Sequence, residues 1–155
     1  MRLSIRPAMA RGLATLMGFA ALLPLSSQGQ DTSVDCHNAI TTMQINQCAG
    51  LELEHAQTQL SQYLQASLRH HGEDAELVQA IERSQRDWQA YMTAHCDAVY
   101  TQWREGTIRG LMTLSCQTEL TKQRTHQLWA YFLTYMDSTP PVLPEPVFDS
   151  ADRTE

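Results

Sequence analysis

Four cysteines, Cys36, Cys48, Cys96 and Cys116, constrain this chain more than any other feature, because all of them follow an apolar leader. An even number of cysteines in an oxidising compartment predicts two disulfides rather than a zinc site or a reactive thiol. Arg2, Arg6 and Arg11 form a positive n-region, Gly12 to Leu25 an apolar h-region, and Ser26, Ser27 and Gly29 offer small residues for cleavage. Residues 1–30 therefore read as a signal peptide. The apolar run is shorter than the ~20 residues that span a bilayer, so no stable membrane anchor is expected after cleavage. No cysteine stands at its end for lipid attachment. The expected location is periplasmic in a Gram-negative host, and secreted otherwise.

Without the three leader arginines the chain has eight basic and seventeen acidic residues, a net charge of −9 with histidine neutral. That charge disfavours nucleic acid and anionic membranes and suits solubility or a basic partner.

Apolar residues recur at helical spacing in three stretches. Thr41 and Gln44 have the spacing of a capping box, with Ile40 and Ile45 as a staple. Ile45, Cys48, Leu53, Ala56, Leu60, Tyr63 and Leu64 then mark one face of a helix, which should stop near Gly72. Glu73, Asp74 and Glu76 suit the first turn of a second helix, whose face carries Leu77, Ile81, Trp88, Tyr91, Met92 and Val99 and whose end falls near Gly106. Thr107 can cap a third helix, running through Ile108, Leu111, Cys116, Leu120, Leu128 and Phe132 to about Met136. Gly110 weakens its first turn. No β-branched alternation suggests a sheet.

The expected fold is all-α: an antiparallel three-helix bundle over residues 31–137 with two disulfides. A proline-rich acidic tail, residues 138–155, holds Pro140, Pro141, Pro144 and Pro146. It is expected to be extended and loosely packed. Cys96 and Cys116 flank the Gly106 turn and Cys36 can fold back on Cys48, which favours the pairs Cys36–Cys48 and Cys96–Cys116. The rival pairs, Cys48–Cys96 and Cys36–Cys116, fit the helix register equally well. All four cysteines cluster at one end in both arrangements.

The chain contains no Gly-x-Ser-x-Gly elbow, P-loop, dinucleotide fingerprint, His-Glu-x-x-His or Cys-x-x-Cys. No catalytic residue, metal or cofactor is expected. His70 and His71 suit a helix end better than a metal, and His95 adjoins a cysteine expected to be oxidised. The carboxylates Glu52, Glu54, Glu73, Asp74, Glu76 and Glu82 read as a solvated helix face. Trp88, Tyr91, Trp129 and Tyr131 could line a pocket, but at helical spacing in a bundle they read as core. Arg86 and Arg124 are expected to bridge helices by salt bridge or stacking next to Trp88 and Leu120. Trp103, near a helix end, is the best candidate for an exposed anchor.

Three stretches carry a resemblance. The first is Asp35-Cys36, then Ala39-Ile40-Thr41-Thr42 and Ile45-Asn46-Gln47-Cys48-Ala49. The second is Gln85-Arg86-Asp87-Trp88 with Tyr91 and Cys96. The third is Gly106-Thr107, Cys116, Leu120-Thr121, Arg124 and Leu128. Over residues 35–128 the chain resembles the LprI-like lysozyme-inhibitor family. The resemblance implies a secreted or periplasmic helical domain and, for some members, inhibition of lysozyme. Gln57, Ser61 and Met92 depart from the family pattern, which often has Asp, Asn and Arg there. A partner read by those side chains would differ. The expected function is a binding protein that inhibits a basic lysozyme or engages another envelope protein; the alternative is a non-inhibitory accessory protein of the envelope. The tied turn formed by Trp103, Arg104, Glu105, Gly106 and Thr107 is the expected partner-binding segment.

Overall fold

The computed structural model describes residues 34–148, so the expected signal peptide, residues 1–30, and the last residues of the tail lie outside it. Among the described residues there are three long α-helices and no strand: α1, Thr42–His70; α2, Ala75–Gln102; and α3, Arg109–Phe132. A single 3-10 turn, Cys36–Asn38, precedes them.

Local chemistry sets most boundaries. Thr41 caps α1: its hydroxyl accepts from the Gln44 backbone amide at 3.2 Å, and the Gln44 side-chain oxygen Oε1 accepts from the Thr41 backbone amide at 3.1 Å. This reciprocal box satisfies two donors that the first turn would otherwise leave open. Asp74 caps α2 by accepting from the Leu77 amide at 3.0 Å. Two expectations fail at the ends of α3. Ile108, not Thr107, is the capping residue, and it makes no side-chain cap bond. The helix also stops at Phe132 rather than near Met136, because the Leu133 carbonyl turns to accept the Val142 amide at 2.8 Å. At the α1–α2 turn, Gly72 is not left-handed. A Cβ there would lie 3.3 Å from the Arg69 carbonyl, so the glycine permits a close approach.

The helices alternate in direction, and α3 packs against both others while α1 and α2 keep their backbones apart. Leu60, Tyr63, Ala66, Ile81, Leu128 and Leu133 form the buried core, toward the His71 turn. At the other end α1 and α3 meet closely. A Cβ on Gly110 would lie 3.2 Å from the Asn46 amide nitrogen, so this glycine trades helix propensity for contact between helix starts.

Covalent bonds tie that end. Cys36 joins Cys48 with Cα atoms 5.6 Å apart, and Cys96 joins Cys116 at 5.8 Å. The rival pairing is absent.

The proline-rich segment is not loose where it is described. It returns along α1 and α3 as a strap. Tyr63 donates its hydroxyl to the Pro144 carbonyl at 2.8 Å, and the Trp129 indole donates to the Leu143 carbonyl at 3.0 Å. Pro146 is buried. His126 meets Glu145 at 3.1 Å. A proline segment cannot form a helix, but its carbonyls remain free to accept from side chains on the helices it crosses.

Candidate functional site

Two surface features of the bundle are built from specific side chains. The first is the α2–α3 turn. Trp103 ends α2 by donating its amide to the Val99 carbonyl at 3.2 Å, and the Gly106 amide returns to the Trp103 carbonyl at 2.8 Å. Arg104 donates to the Thr101 carbonyl at 3.1 Å, and Arg109 donates to the Arg104 carbonyl at 2.9 Å. The Arg109 guanidinium also lies 5.8 Å from the centre of the Tyr100 ring. The Cys96–Cys116 bridge closes the hairpin behind this turn. The turn is thus rigid for its length, yet Trp103 is 40% exposed and Ile108 41%. Arg104 and Glu105 pair with each other at 3.3 Å in open solvent, which adds little stability. Ile40 and Met43, at the start of α1, are also exposed at this end of the bundle. The five residues expected to bind a partner therefore form one continuous turn; Trp103, Arg104, Glu105 and Thr107 are exposed and Gly106 half-buried.

The second feature is a groove of about 460 Å³ between α1 and α2. Gln57, Leu60, Ser61 and Leu64 come from α1, and Gln85, Trp88, Gln89 and Met92 from α2. Thr121 of α3 lies at its floor, and its hydroxyl donates to the Gln117 carbonyl at 2.7 Å. Arg124 stands one turn further along α3 and is buried. Its Nε donates to Gln85 Oε1 at 3.0 Å and its Nη2 to Ser84 Oγ at 2.8 Å. No carboxylate among the described residues forms an ion pair with it. Loss of hydration pushes its pKa below the usual guanidinium value. Arg124 bridges α3 to α2 by hydrogen bonds to neutral oxygens, not by the salt bridge or stacking expected of it.

The expected core residues divide. Trp88 and Leu120 are half-buried and Arg124 is buried, but Arg86 and Tyr91 are exposed. The buried face of α2 runs Ile81, Gln85, Trp88, Met92, Cys96. Tyr91 sits one residue, or ~100°, off that stripe, and Arg86 is two residues from Trp88 and so points almost oppositely. Tyr91 instead stacks on His95 with ring centres 5.5 Å apart. Tyr131 is likewise exposed, and Trp129 half-buried under the strap. The groove was missed because its lining is mixed in polarity; its signal is the pair of glutamines, Gln85 and Gln89, flanking Trp88 on the inner side of α2. The three departures from the family pattern, Gln57, Ser61 and Met92, all line this one groove.

Among the described residues no group of three or more histidines, cysteines or acids could hold a metal. No helix among them is long and apolar enough to cross a membrane.

A helical bundle tied by two disulfides, with a braced and exposed turn at the tied end, defines a small disulfide-stabilised helical domain. The family model for the lysozyme inhibitor LprI matches residues 35–128, and the chain belongs to that family. It is a family of inhibitors rather than enzymes, its members are extracytoplasmic, and the disulfides fit that setting. An uncharacterized protein of Rhizobium meliloti (strain 1021) is 24% identical over 129 residues, covering 76% of this chain and 93% of the relative. No solved structure matches.

Proposed function

We propose that this protein is a periplasmic or secreted inhibitor that binds a basic lysozyme through its disulfide-tied end, with the turn Trp103–Thr107 entering or covering the substrate cleft. The observation that carries this reading is the braced, exposed turn in a member of an inhibitor family. A segment already fixed by the Cys96–Cys116 bridge and by the Arg104 and Arg109 backbone bonds has little freedom left to lose on binding, which favours affinity. Trp103 supplies the large amphipathic surface typical of an interface anchor. The acidic balance of the chain would steer it toward a basic enzyme and make association fall with salt.

The test is inhibition of hen-type and goose-type lysozymes by the oxidised protein, with a reduced sample beside it. Inhibition that is lost on reduction and in Trp103→Ala supports the reading. Inhibition unchanged by Arg104→Ala with Glu105→Ala and by Trp103→Ala removes the turn as the site. A folded, oxidised protein that inhibits neither enzyme leaves an accessory envelope protein as the better description.

A further inference from the structure

We propose that the groove between α1 and α2 is a binding site for a neutral oligosaccharide. The inference rests on the chemistry of the lining and is independent of the lysozyme reading.

Charge sets the first constraint. The chain carries 28 acidic and basic side chains, yet none lines this groove. A charged ligand entering it would shed hydration with no countercharge on the lining; the nearest cation, Arg124, stands behind Gln85 and is engaged by Gln85 and Ser84. The lining is also far from inert. The side chains of Gln57, Ser61 and Gln89 have no hydrogen-bond partner among the described residues, although all three are polar and line the space. Each glutamine amide offers donors and acceptors together, and a serine hydroxyl does both, as sugar hydroxyls do.

Gln85 adds direction. Arg124 occupies its carbonyl oxygen at 3.0 Å and so fixes which end of the amide is engaged. What remains for a ligand is its NH2 group, a donor polarised by the buried cation behind it. That donor calls for an acceptor such as a hydroxyl or acetamido oxygen. Between these polar groups lie the apolar surfaces of Leu60, Leu64, Trp88 and Met92. A pyranose ring presents the matching pattern, with C–H groups on its faces and neutral hydroxyls around its edge. An indole and aliphatic floor accepts the faces, and the amides and the hydroxyl accept the edge. The volume, about 460 Å³, falls in the ~300–1,000 Å³ range of small-ligand sites.

The site is also separate from the turn proposed to meet lysozyme. Met92 to Trp103 is eleven helical residues, ~16 Å along α2. The two surfaces can therefore be broken independently.

The experiment is a titration of the oxidised protein, with no lysozyme present, using β-1,4-linked N-acetylglucosamine tetramer as the probe. Nitrogen-15 NMR follows the glutamine side-chain amides and the Trp88 indole. The expected result is saturable shifts at Gln57, Gln85, Gln89 and Trp88, with a Kd of about 1 mM or tighter. Gln57→Ala combined with Gln89→Ala, both on exposed helix positions, should weaken the affinity about tenfold while leaving circular dichroism and Tm unchanged. The same double variant should inhibit lysozyme as well as the parent does. No saturable shift with this probe overturns the proposal, as does an affinity indifferent to the double substitution. Tighter binding of a carboxylated analogue than of the neutral sugar overturns the claim of a neutral site.

Discussion

The half of the bundle beside the His71 turn is held by packed apolar side chains, whereas the half beside the Trp103 turn is held by covalent bonds. Near His71, Leu128 and Leu133 are fully buried and Ile81 almost so. The His71 ring bonds the Phe132 carbonyl at 3.0 Å, and the strap covers Tyr63 and Trp129. Exposed apolar residues occur here too, among them Tyr131 and Tyr135, the latter 3.4 Å from the His70 ring nitrogen. Near Trp103 the enclosed residues are fewer and smaller, chiefly Leu53, Ala56, Met92 and Cys96. A bundle of this size can leave apolar side chains on a turn at one end if something other than the core keeps that end closed. The disulfides do so by limiting the unfolded chain, at no cost in exposed surface. This division of labour is what would let the covalent end carry the binding surface proposed for it.

The sharpest way to break this comparison is to injure each half in turn. Leu128→Ala should cost about 4 kcal/mol, toward the upper end for a leucine with no exposed surface, and should lower protection from hydrogen exchange throughout the bundle. Replacing Cys96 and Cys116 by alanine opens a bridge between residues 20 apart and should cost about 3 kcal/mol by loop entropy. Its hydrogen-exchange signature should differ, with protection falling first in the α2–α3 turn while the Tyr63–Leu128 region holds. Chemical denaturation with exchange mapping measures both. Equal loosening of the turn by both variants would show that the halves are one cooperative unit, and the division drawn above would not stand.

How much of this was legible in the sequence depends on whether a feature is local. The α1 start was legible because Thr41 and Gln44 bond each other within one turn. The α2 start was legible only to within a residue or two: Glu73, Asp74 and Glu76 marked it, but Glu76 alone lies in the first turn, and Asp74 is the cap that reaches an amide three residues on. Helical spacing placed Trp88 and Tyr91 in the core, and nearness in sequence to Trp88 placed Arg86 beside them; Trp88 is half-buried, and Tyr91 and Arg86 lie off the stripe and are exposed. Periodicity gives a face, and only packing fixes its width. The strap was illegible for a different reason. Its anchors are the carbonyls of Leu143 and Pro144, groups every residue has, and their donors, Trp129 and Tyr63, lie far back in the chain. The groove needs two helices placed side by side by a third, and no single stretch of sequence contains that relation.

The strap belongs to the core-held half, and removing it sharpens the comparison at a smaller scale. Truncation after Asp137 deletes the acceptors of Tyr63 and Trp129, the Val142–Leu133 bond and the burial of Pro146. Each hydrogen bond contributes ~1 kcal/mol net, and the lost ordering entropy of the tail offsets part of the sum, so a loss of about 2 kcal/mol is expected. Trp129 fluorescence should shift to the red as its indole meets water. If the Trp103 turn binds lysozyme as proposed, the same truncation should leave that inhibition intact. A change in inhibition without a change in Tm would mean that the strap itself carries part of the binding surface.

The smallest effect lies at the covalent end. Asp35 caps the 3-10 turn that carries Cys36, accepting from the Asn38 side chain at 2.7 Å and from the His37 amide at 3.0 Å. The Asn38 bond first, and the His37 amide second, hold its carboxyl below the ordinary aspartate value. The folded state therefore favours the ionised form. Its contribution is fully present above the unfolded value of ~3.9 and fades as pH falls through the lower folded one. The group is exposed, so the consequence is local: acid should fray the turn around Cys36 before it melts the bundle. Carboxyl chemical shifts followed by NMR through this acid range should give a midpoint for Asp35 below that of an unstructured aspartate. Reduction of Cys36–Cys48 by a phosphine, which remains active in acid, should accelerate over the same interval. Asp35→Asn should remove that acceleration while Cys96–Cys116 keeps its own rate. If both bridges respond to acid alike, Asp35 is not what holds the first one shut.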